Sequence, residues 1–321
     1  EQYLRLVMNA VENPEAEAAT LRMLDEEIFG KLVTEQTERE LVSGAPSLVQ
    51  AIRARAKETP DAIAVEPSEG ESLSYAELHR ASGAVANELR QRGSKVVALA
   101  LPRSADLVVA MLGALRAEVT FVPVDPEYPV DRLRYLLEDS GADLILTART
   151  TRTKLPRTET PVLGVETMHG GMHSTRPPAA QNAGAQSSRP PAYVIYTSGS
   201  TGEPKGVLVS QAALSNHCKA IVDYFELRPG DRALQFASPS FDVALEEIFP
   251  TLAAGATLVL RDQQSITSIR DFFDYVEDKR ISVLNLPTAF WQTLVTHKHA
   301  RLWPLCLRLL VIGGEKASRT A

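Results

Sequence analysis

The chain has 321 residues, of which 44% are hydrophobic, 23% charged and 6% aromatic, and this composition excludes collagen-like, coiled-coil and wholly disordered chains. Its 34 Lys and Arg against 40 Asp and Glu give a net charge of -6, a poor balance for a protein that coats nucleic acid. Two cysteines are too few for a disulfide framework, and His297 and His299 have no third ligand nearby, so no metal site is expected within this chain. The longest apolar run, Leu107 to Leu115, falls short of the roughly 18–20 residues of a membrane span. With no signal-peptide pattern, the cytoplasm is the expected compartment, and the opening Glu1 in place of Met suggests a piece of something longer.

Residues 1–45 read as charged helix, Tyr3 to Val11 and Leu21 to Glu40, closed by Ser43-Gly44-Ala45-Pro46. Pro46 to Lys57 is amphipathic, with Leu48, Ile52 and Ala56 on one face. Ser74-Tyr75-Ala76-Glu77 is a capping box that opens a helix with Leu78, Ala81, Val85 and Leu89 on its apolar face and Gly93 as its stop. Val96 to Leu101 is the next strand. Ser104 then opens a helix carrying Leu107, Val108, Met111, Leu112 and Leu115, and Thr120 to Val124 is strand. Pro129 to Ser140 is helix and Leu144 to Thr147 strand. Residues 167–191 lack periodicity and read as a long flexible connector.

Alternation then resumes: strand Tyr193 to Tyr196, helix Gln211 to Phe225 and strand Ala233 to Ala237. A helix starts at Val243, with Pro250 expected to bend or end it. Strand Ala256 to Leu260, helix Ile266 to Lys279, strand Val283 to Leu286, helix Thr288 to Thr296 and strand Leu307 to Ile312 complete the chain. Cys218 falls in a helical context and Cys306 in a strand context. The pattern predicts an α/β fold with largely parallel sheets flanked by helices.

The chemistry concentrates where the Tyr193 strand meets Thr197-Ser198-Gly199-Ser200-Thr201-Gly202-Glu203-Pro204-Lys205-Gly206. Gly199, Gly202 and Gly206 permit turns with positive φ and close approach to a ligand. Backbone N–H groups in such a turn form an anion nest, four hydroxyls add neutral donors, and Lys205 adds a point charge. The bottom-up reading is a polyphosphate cradle; the bland alternative is a polar surface loop. It is not the common nucleotide loop, since Gly206 follows Lys205 where Ser or Thr is needed.

Tyr196 to Gly206 resembles the phosphate-loop signature of adenylate-forming, AMP-binding enzymes. Leu73 to Leu78, Leu112 to Pro129 with its Phe121-Val122-Pro123-Val124-Asp125-Pro126-Glu127-Tyr128-Pro129, and Phe241-Asp242 are similar to further motifs of their nonribosomal peptide synthetase branch, and residues 1 to about 42 resemble a condensation-domain tail and linker. The resemblance implies a truncated, N-terminal part of an adenylation domain over 46–321, preceded by that tail over 1–45. It implies ATP-dependent activation of an amino acid as aminoacyl-adenylate, followed by transfer to the phosphopantetheine thiol of a carrier domain, with ATP and Mg2+ required. Expected partners are the amino acid and the carrier (thiolation) and condensation domains of the same synthetase.

The implied phosphate site is Thr197, Ser198, Gly199, Ser200, Thr201, Gly202 and Lys205, with Gly314 and Glu315 against adenine. Lys205 would stabilise phosphate charge; the family's main catalytic lysine lies beyond Ala321. Asp242 would meet the α-ammonium, and Val243, Glu246, Asn285, Val311 and Gly313 would line the side-chain pocket. Read without the resemblance, Val243 and Val311 are equally core positions, and Glu246 and Glu247 a solvated helix face. Glu246 replaces the family's usual large aromatic, which speaks against an aromatic substrate and favours a polar or basic one; Glu118-Val119-Thr120 replaces its usual small residues. A stand-alone acyl- or aryl-CoA ligase and a non-catalytic truncated remnant are the alternatives.

Overall fold

A computed structural model describes residue 11 and residues 47–169, 191–197, 204–261, 268–296 and 303–317. The chain divides between Pro46 and Ser47, and the second unit carries all the elements below. The helices expected in residues 1–45, His297 and His299, and most of the expected connector lie outside the described residues.

In chain order the elements are α1 (Leu48–Glu58), β1 (Ile63–Glu66), β2 (Leu73–Ser74), α2 (Tyr75–Arg92), β3 (Val96–Ala100), α3 (Ala105–Ala117), β4 (Thr120–Pro123), α4 (Val130–Asp139), β5 (Leu144–Thr147), β6 (Val162–Gly164) and α5 (Glu166–His169). They continue with β7 (Pro191–Thr197), β8 (Lys205–Ser210), α6 (Gln211–Tyr224), β9 (Arg232–Gln235), α7 (Asp242–Ala254), β10 (Thr257–Leu260), α8 (Ile269–Asp278), β11 (Val283–Pro287), α9 (Thr288–Thr296) and β12 (Leu309–Gly313). One six-stranded sheet runs β12-β11-β9-β10-β1-β2 and the other β6-β5-β3-β4-β7-β8. Both are parallel except for one antiparallel edge strand each, β2 beside β1 and β8 beside β7.

The strands sort their side chains by the two-residue period. On β3, Val97 and Leu99 join a core shared with Val65 and Leu258 of the other sheet, with Leu78, Met111 and Phe249 from the helices between the sheets. Ala98 and Ala100 face the opposite way and pack with Leu133 and Leu137 of α4. On the far side of the other sheet, Val259 and Leu284 meet Phe272 and Phe273 of α8. The result is five layers, helix and sheet alternating, with α3 buried on every side from Leu107 to Arg116.

Local sequence sets the helix ends. Ser74 Oγ accepts from Glu77 N at 3.3 Å while Glu77 Oε2 accepts from Ser74 N at 2.8 Å, the capping box read from the sequence. Gly93 closes α2 at φ 68, a conformation that costs glycine little. Ser47 and Gln50 form a second capping box at α1.

Several expectations need correction. Pro250 does not end its helix: α7 continues to Ala254 and stops at Gly255, because Ile248, Phe249 and Leu252 are held in the core on both sides of it. Glu166–His169 is helix and Pro191 already opens β7, so both ends of the expected connector are structured. Cys306 lies in a turn before β12 rather than in a strand. β1, β2, β6 and β8 have no counterpart among the expected elements.

Candidate functional site

Thr197 closes β7 and Gly313 closes β12, at carboxyl ends of strands, where open α/β sheets bind ligands. At the second sheet, Thr197 ends β7 and Lys205 begins β8, paired across the hairpin and both exposed. Ser198, Gly199, Ser200, Thr201 and Gly202 lie outside the described residues. The hairpin mouth is tied to α4. Tyr196 OH donates to Asp139 Oδ2 at 2.6 Å, and Tyr135 OH donates to Pro204 O at 2.9 Å. Burial and the Asp139 carboxylate hold the Tyr196 phenol above its usual range, so it stays a donor. Gly206 is not a turn residue: it pairs with Tyr196 within β8, and a Cβ there would come within 2.9 Å of Val194 Cγ1. The small residue serves close approach across the hairpin.

The second group of residues belongs to the first sheet. Asp242 opens α7, exposed, with its carboxylate at the positive end of the helix and its Oδ1 accepting from Val243 N at 2.9 Å. Burial first, then the Asp242 charge, raise the Tyr193 phenol above its usual range. Val243 is 39% exposed and therefore not core. One turn on, Glu246 Oε1 accepts from Asn285 Nδ2 of β11 at 3.1 Å, and its Oε2 lies 3.2 Å from His217 Nε2 of α6. Val311 is half-buried and in register with Asn285. Gly313 follows two residues later; Thr288 Oγ1 lies 3.0 Å from its carbonyl oxygen and 3.1 Å from that of Glu315. Between them Gly314 takes φ 90.

Glu247 differs sharply from Glu246. It is 5% exposed and accepts from Gln235 Nε2 at 2.9 Å, Phe236 N at 3.0 Å and Ala237 N at 3.1 Å. Loss of water pushes its carboxyl up to about 8, against the pull of those donors. The solvated-face reading fails here because Glu247 stands at the buried stripe of Ala244, Ile248 and Thr251. That i, i+3, i+4, i+7 spacing was a usable signal; nothing local marked His217, Tyr135 or Asp139.

One cavity borders these residues and a second lies elsewhere between the sheets. The first, of about 20 Å3, room for about one water, is lined by Glu246, Glu247, Asn285 and apolar side chains. The other, about 220 Å3, opens between the carboxyl ends of the two sheets and is lined by Arg103, Asp125, Glu127, Ser238 and Arg261 among others. Asp125, Pro126 and Glu127 of the Phe121–Pro129 motif line it, and none of the expected phosphate-site or substrate-pocket residues does. Among the described residues no three His, Cys, Asp or Glu side chains converge as a metal site, and no helix is long and apolar enough to cross a membrane.

Two mostly parallel sheets with helices between and outside them make the class an α/β protein with its candidate residues spread over both sheets. The family model for AMP-binding enzymes matches residues 52–321, and the chain belongs to that family. Tyrocidine synthase 2 of Brevibacillus parabrevis is 31% identical over 308 residues, covering 95% of this chain and 8% of that protein. Isonitrile lipopeptide synthase of Streptomyces coeruleorubidus is 38% identical over 260 residues, 79% of this chain and 18% of that protein. Among solved structures, the nonribosomal peptide synthetase FmoA3 with AMPPNP bound superposes with a TM-score of 0.77 at 28% identity, covering 99% of this chain and 34% of that one. The N-terminal subdomain of Klebsiella oxytoca NpsA, in complex with 3-hydroxybenzoyl-AMSN, shares the fold at 21% identity, with a TM-score of 0.71 over 85% of this chain and 67% of that one. The chain thus spans only a small part of the synthetases it matches.

Proposed function

We propose that the polypeptide carrying this chain activates an amino acid with ATP, giving aminoacyl-AMP and pyrophosphate, and passes the acyl group to a carrier-domain phosphopantetheine thiol with release of AMP. The observation that carries the reading is the meeting of Glu246 with Asn285. Two residues assigned to one substrate pocket from distant segments share a hydrogen bond, with Asp242 one turn away on α7 and Val311 in register on β12. One of the relatives is a lipopeptide synthase by name, which agrees with an amino acid as substrate.

In this reading the residues from Thr197 to Lys205 hold the β- and γ-phosphates and steady pyrophosphate as it leaves, so Lys205 stabilises developing charge. The substrate carboxylate itself attacks the α-phosphorus, and no side-chain nucleophile is required. Asp242 meets the α-ammonium in a charge-assisted contact. Val243, Glu246, Asn285, Val311 and Gly313 surround the side chain, and Gly314 and Glu315 lie against adenine. The exposed Lys205 and Thr197 fit an ATP–Mg2+ substrate, in which the ion neutralises phosphate charge and is held largely through the phosphates. A carrier and a condensation domain of the same synthetase are its partners, and the cytoplasm is its compartment.

The test is pyrophosphate exchange into ATP, run with the twenty amino acids and with plain carboxylic acids. Exchange driven by an amino acid and not by its deaminated analogue is expected. Exchange driven equally by plain acids would favour an acyl-CoA ligase, and none at all would favour a non-catalytic remnant.

A further inference from the structure

The connection from β9 to α7 leads to Asp242, and charged side chains from two directions hold its backbone. On one side, Phe236 N and Ala237 N donate to Glu247 of α7 at 3.0 Å and 3.1 Å. On the other, the carbonyls are taken by Arg103. Its Nη2 donates to Phe236 O at 3.1 Å and to Ala237 O at 2.9 Å, and its Nε donates to Gln235 Oε1. Gln235 Nε2 in turn donates to Glu247 Oε2 at 2.9 Å and to Ala237 O at 2.7 Å. One planar guanidinium thus meets acceptors on three consecutive residues, a fork that a lysine ammonium reproduces only in part.

Arg103 belongs to the other sheet. It lies between β3 and Ser104, the N-cap of α3, in the sheet that also contains β7 and β8. Asp125, just past β4 of that sheet, makes a second link, its Oδ2 accepting from Ser238 Oγ at 3.3 Å. From Ser238 the chain reaches Asp242 within one turn, with Phe241 N donating to Ser238 O at 3.0 Å. Glu247 and Arg261, whose Nε donates to Phe236 O at 3.2 Å, tie the connection to its own sheet. Arg103 and Asp125 tie it to the neighbouring one. The cavity of about 220 Å3 lies against Arg103, Asp125 and Ser238, so the connection has room to shift when these contacts are lost.

We infer that Arg103 is a positioning residue: it fixes the connection that ends at Asp242, and so sets where the α-ammonium is received relative to the sheet that carries the β7–β8 hairpin. This rests on the amino-acid-activating reading above. A binding group holds its geometry to within about 0.5 Å only when the residues behind it are themselves locked by hydrogen bonds. Asp242 opens its helix and is exposed, so that support has to come through the connection before it. The ammonium contact is made both before and during the reaction, so loosening it raises the KM for the amino acid and leaves kcat in place.

The experiment is pyrophosphate exchange by the polypeptide carrying this chain, with ATP and whichever of the twenty amino acids drives the fastest exchange. In Arg103→Ala the KM for that amino acid is expected to rise about tenfold, with kcat and the KM for ATP changed less than about twofold. Arg103→Lys is expected to recover part of the loss, to a rise of about threefold, and Ser238→Ala to raise the same KM about twofold. In an Asp242→Asn background the further Arg103→Ala change is expected to move the amino-acid KM less than about twofold, because the group through which Arg103 acts is already gone. A fall in kcat with both KM values unchanged is what a smaller folded fraction gives, and it would overturn the inference while leaving amino-acid activation standing. Full additivity of the two substitutions would do the same. Absence of exchange with every amino acid in the unaltered protein would remove the underlying reading and the inference with it. Should Arg103→Ala not fold, Arg103→Lys and Ser238→Ala decide by the same split between KM and kcat.

Discussion

At the β7–β8 hairpin, the residues assigned to phosphate follow one another along a single stretch from Thr197 to Lys205, and the ends of that stretch are held by one pair of strands and one helix. Around Glu246 the residues assigned to the substrate come from α7, β11 and β12, with α6 adding His217. The hairpin end needs only the right local backbone to assemble. The pocket end needs the whole first sheet in register. A mutation that loosens tertiary structure should therefore damage the pocket end first, whereas a mutation confined to the loop should leave the pocket working.

The largest effect is expected at Glu247, which fastens α7 to the end of β9. Glu247→Ala leaves the Phe236 and Ala237 N–H groups and the Gln235 amide without their acceptor, at a cost of about 3 kcal/mol in denaturant unfolding. Glu247→Gln separates packing from charge. The carboxyl is raised from its ordinary 4.5 to about 8 in the folded protein, so the folded state holds the proton more tightly than the unfolded chain. Its contribution is fully favourable below about pH 4.5 and is lost as pH rises through about 8. The stability of Glu247→Gln relative to the parent should therefore climb between those limits, by an amount on the order of 5 kcal/mol. Parallel pH curves for the two proteins would show that the donors, not burial, govern this carboxyl.

Next come the two variants that set one end against the other. Lys205→Ala should slow amino-acid-dependent pyrophosphate exchange about a hundredfold, with the apparent affinity for the amino acid little changed. Asp242→Ala should weaken the amino acid by about 2–3 kcal/mol and leave AMPPNP binding intact. Equal loss of both ligands in either variant would contradict the separation and point to general unfolding.

The same contrast explains what was legible in the sequence. The capping box at Ser74, the stripe from Leu78 to Leu89 and the strand Val96 to Leu101 are local or strictly periodic, and the structure reproduces them. The candidate phosphate loop stands out in the sequence because its residues are contiguous. β1 and β2 escape because a four-residue strand and a two-residue edge strand carry too little pattern. β8 escaped because Lys205 to Ser210 reads as a loop exit until its pairing with β7 is seen. The division of labour between Glu246 and Glu247 was not drawn from composition, since adjacent glutamates differ only in which side of α7 they occupy. Pro250 misled because its local preference for ending a helix is outweighed by the core around Ile248, Phe249 and Leu252.

The smallest expected effect gives the finest test. Tyr135 lies on α4, outside every motif, and its hydroxyl donates to Pro204 O, one residue before Lys205. Its ring packs edge to face against Tyr196, with centroids 6.4 Å apart, and Tyr135→Phe preserves that contact while deleting the hydrogen bond. The stability change should be about 1 kcal/mol. If the hairpin mouth is positioned from α4, the variant should raise the KM for ATP a few-fold with the KM for the amino acid unchanged, because Lys205 loses its neighbour's anchor while the pocket on the first sheet keeps all of its contacts. A rise in the amino-acid KM alone would mean that α4 acts on the pocket, and the two ends would then have to be treated as one cooperative structure.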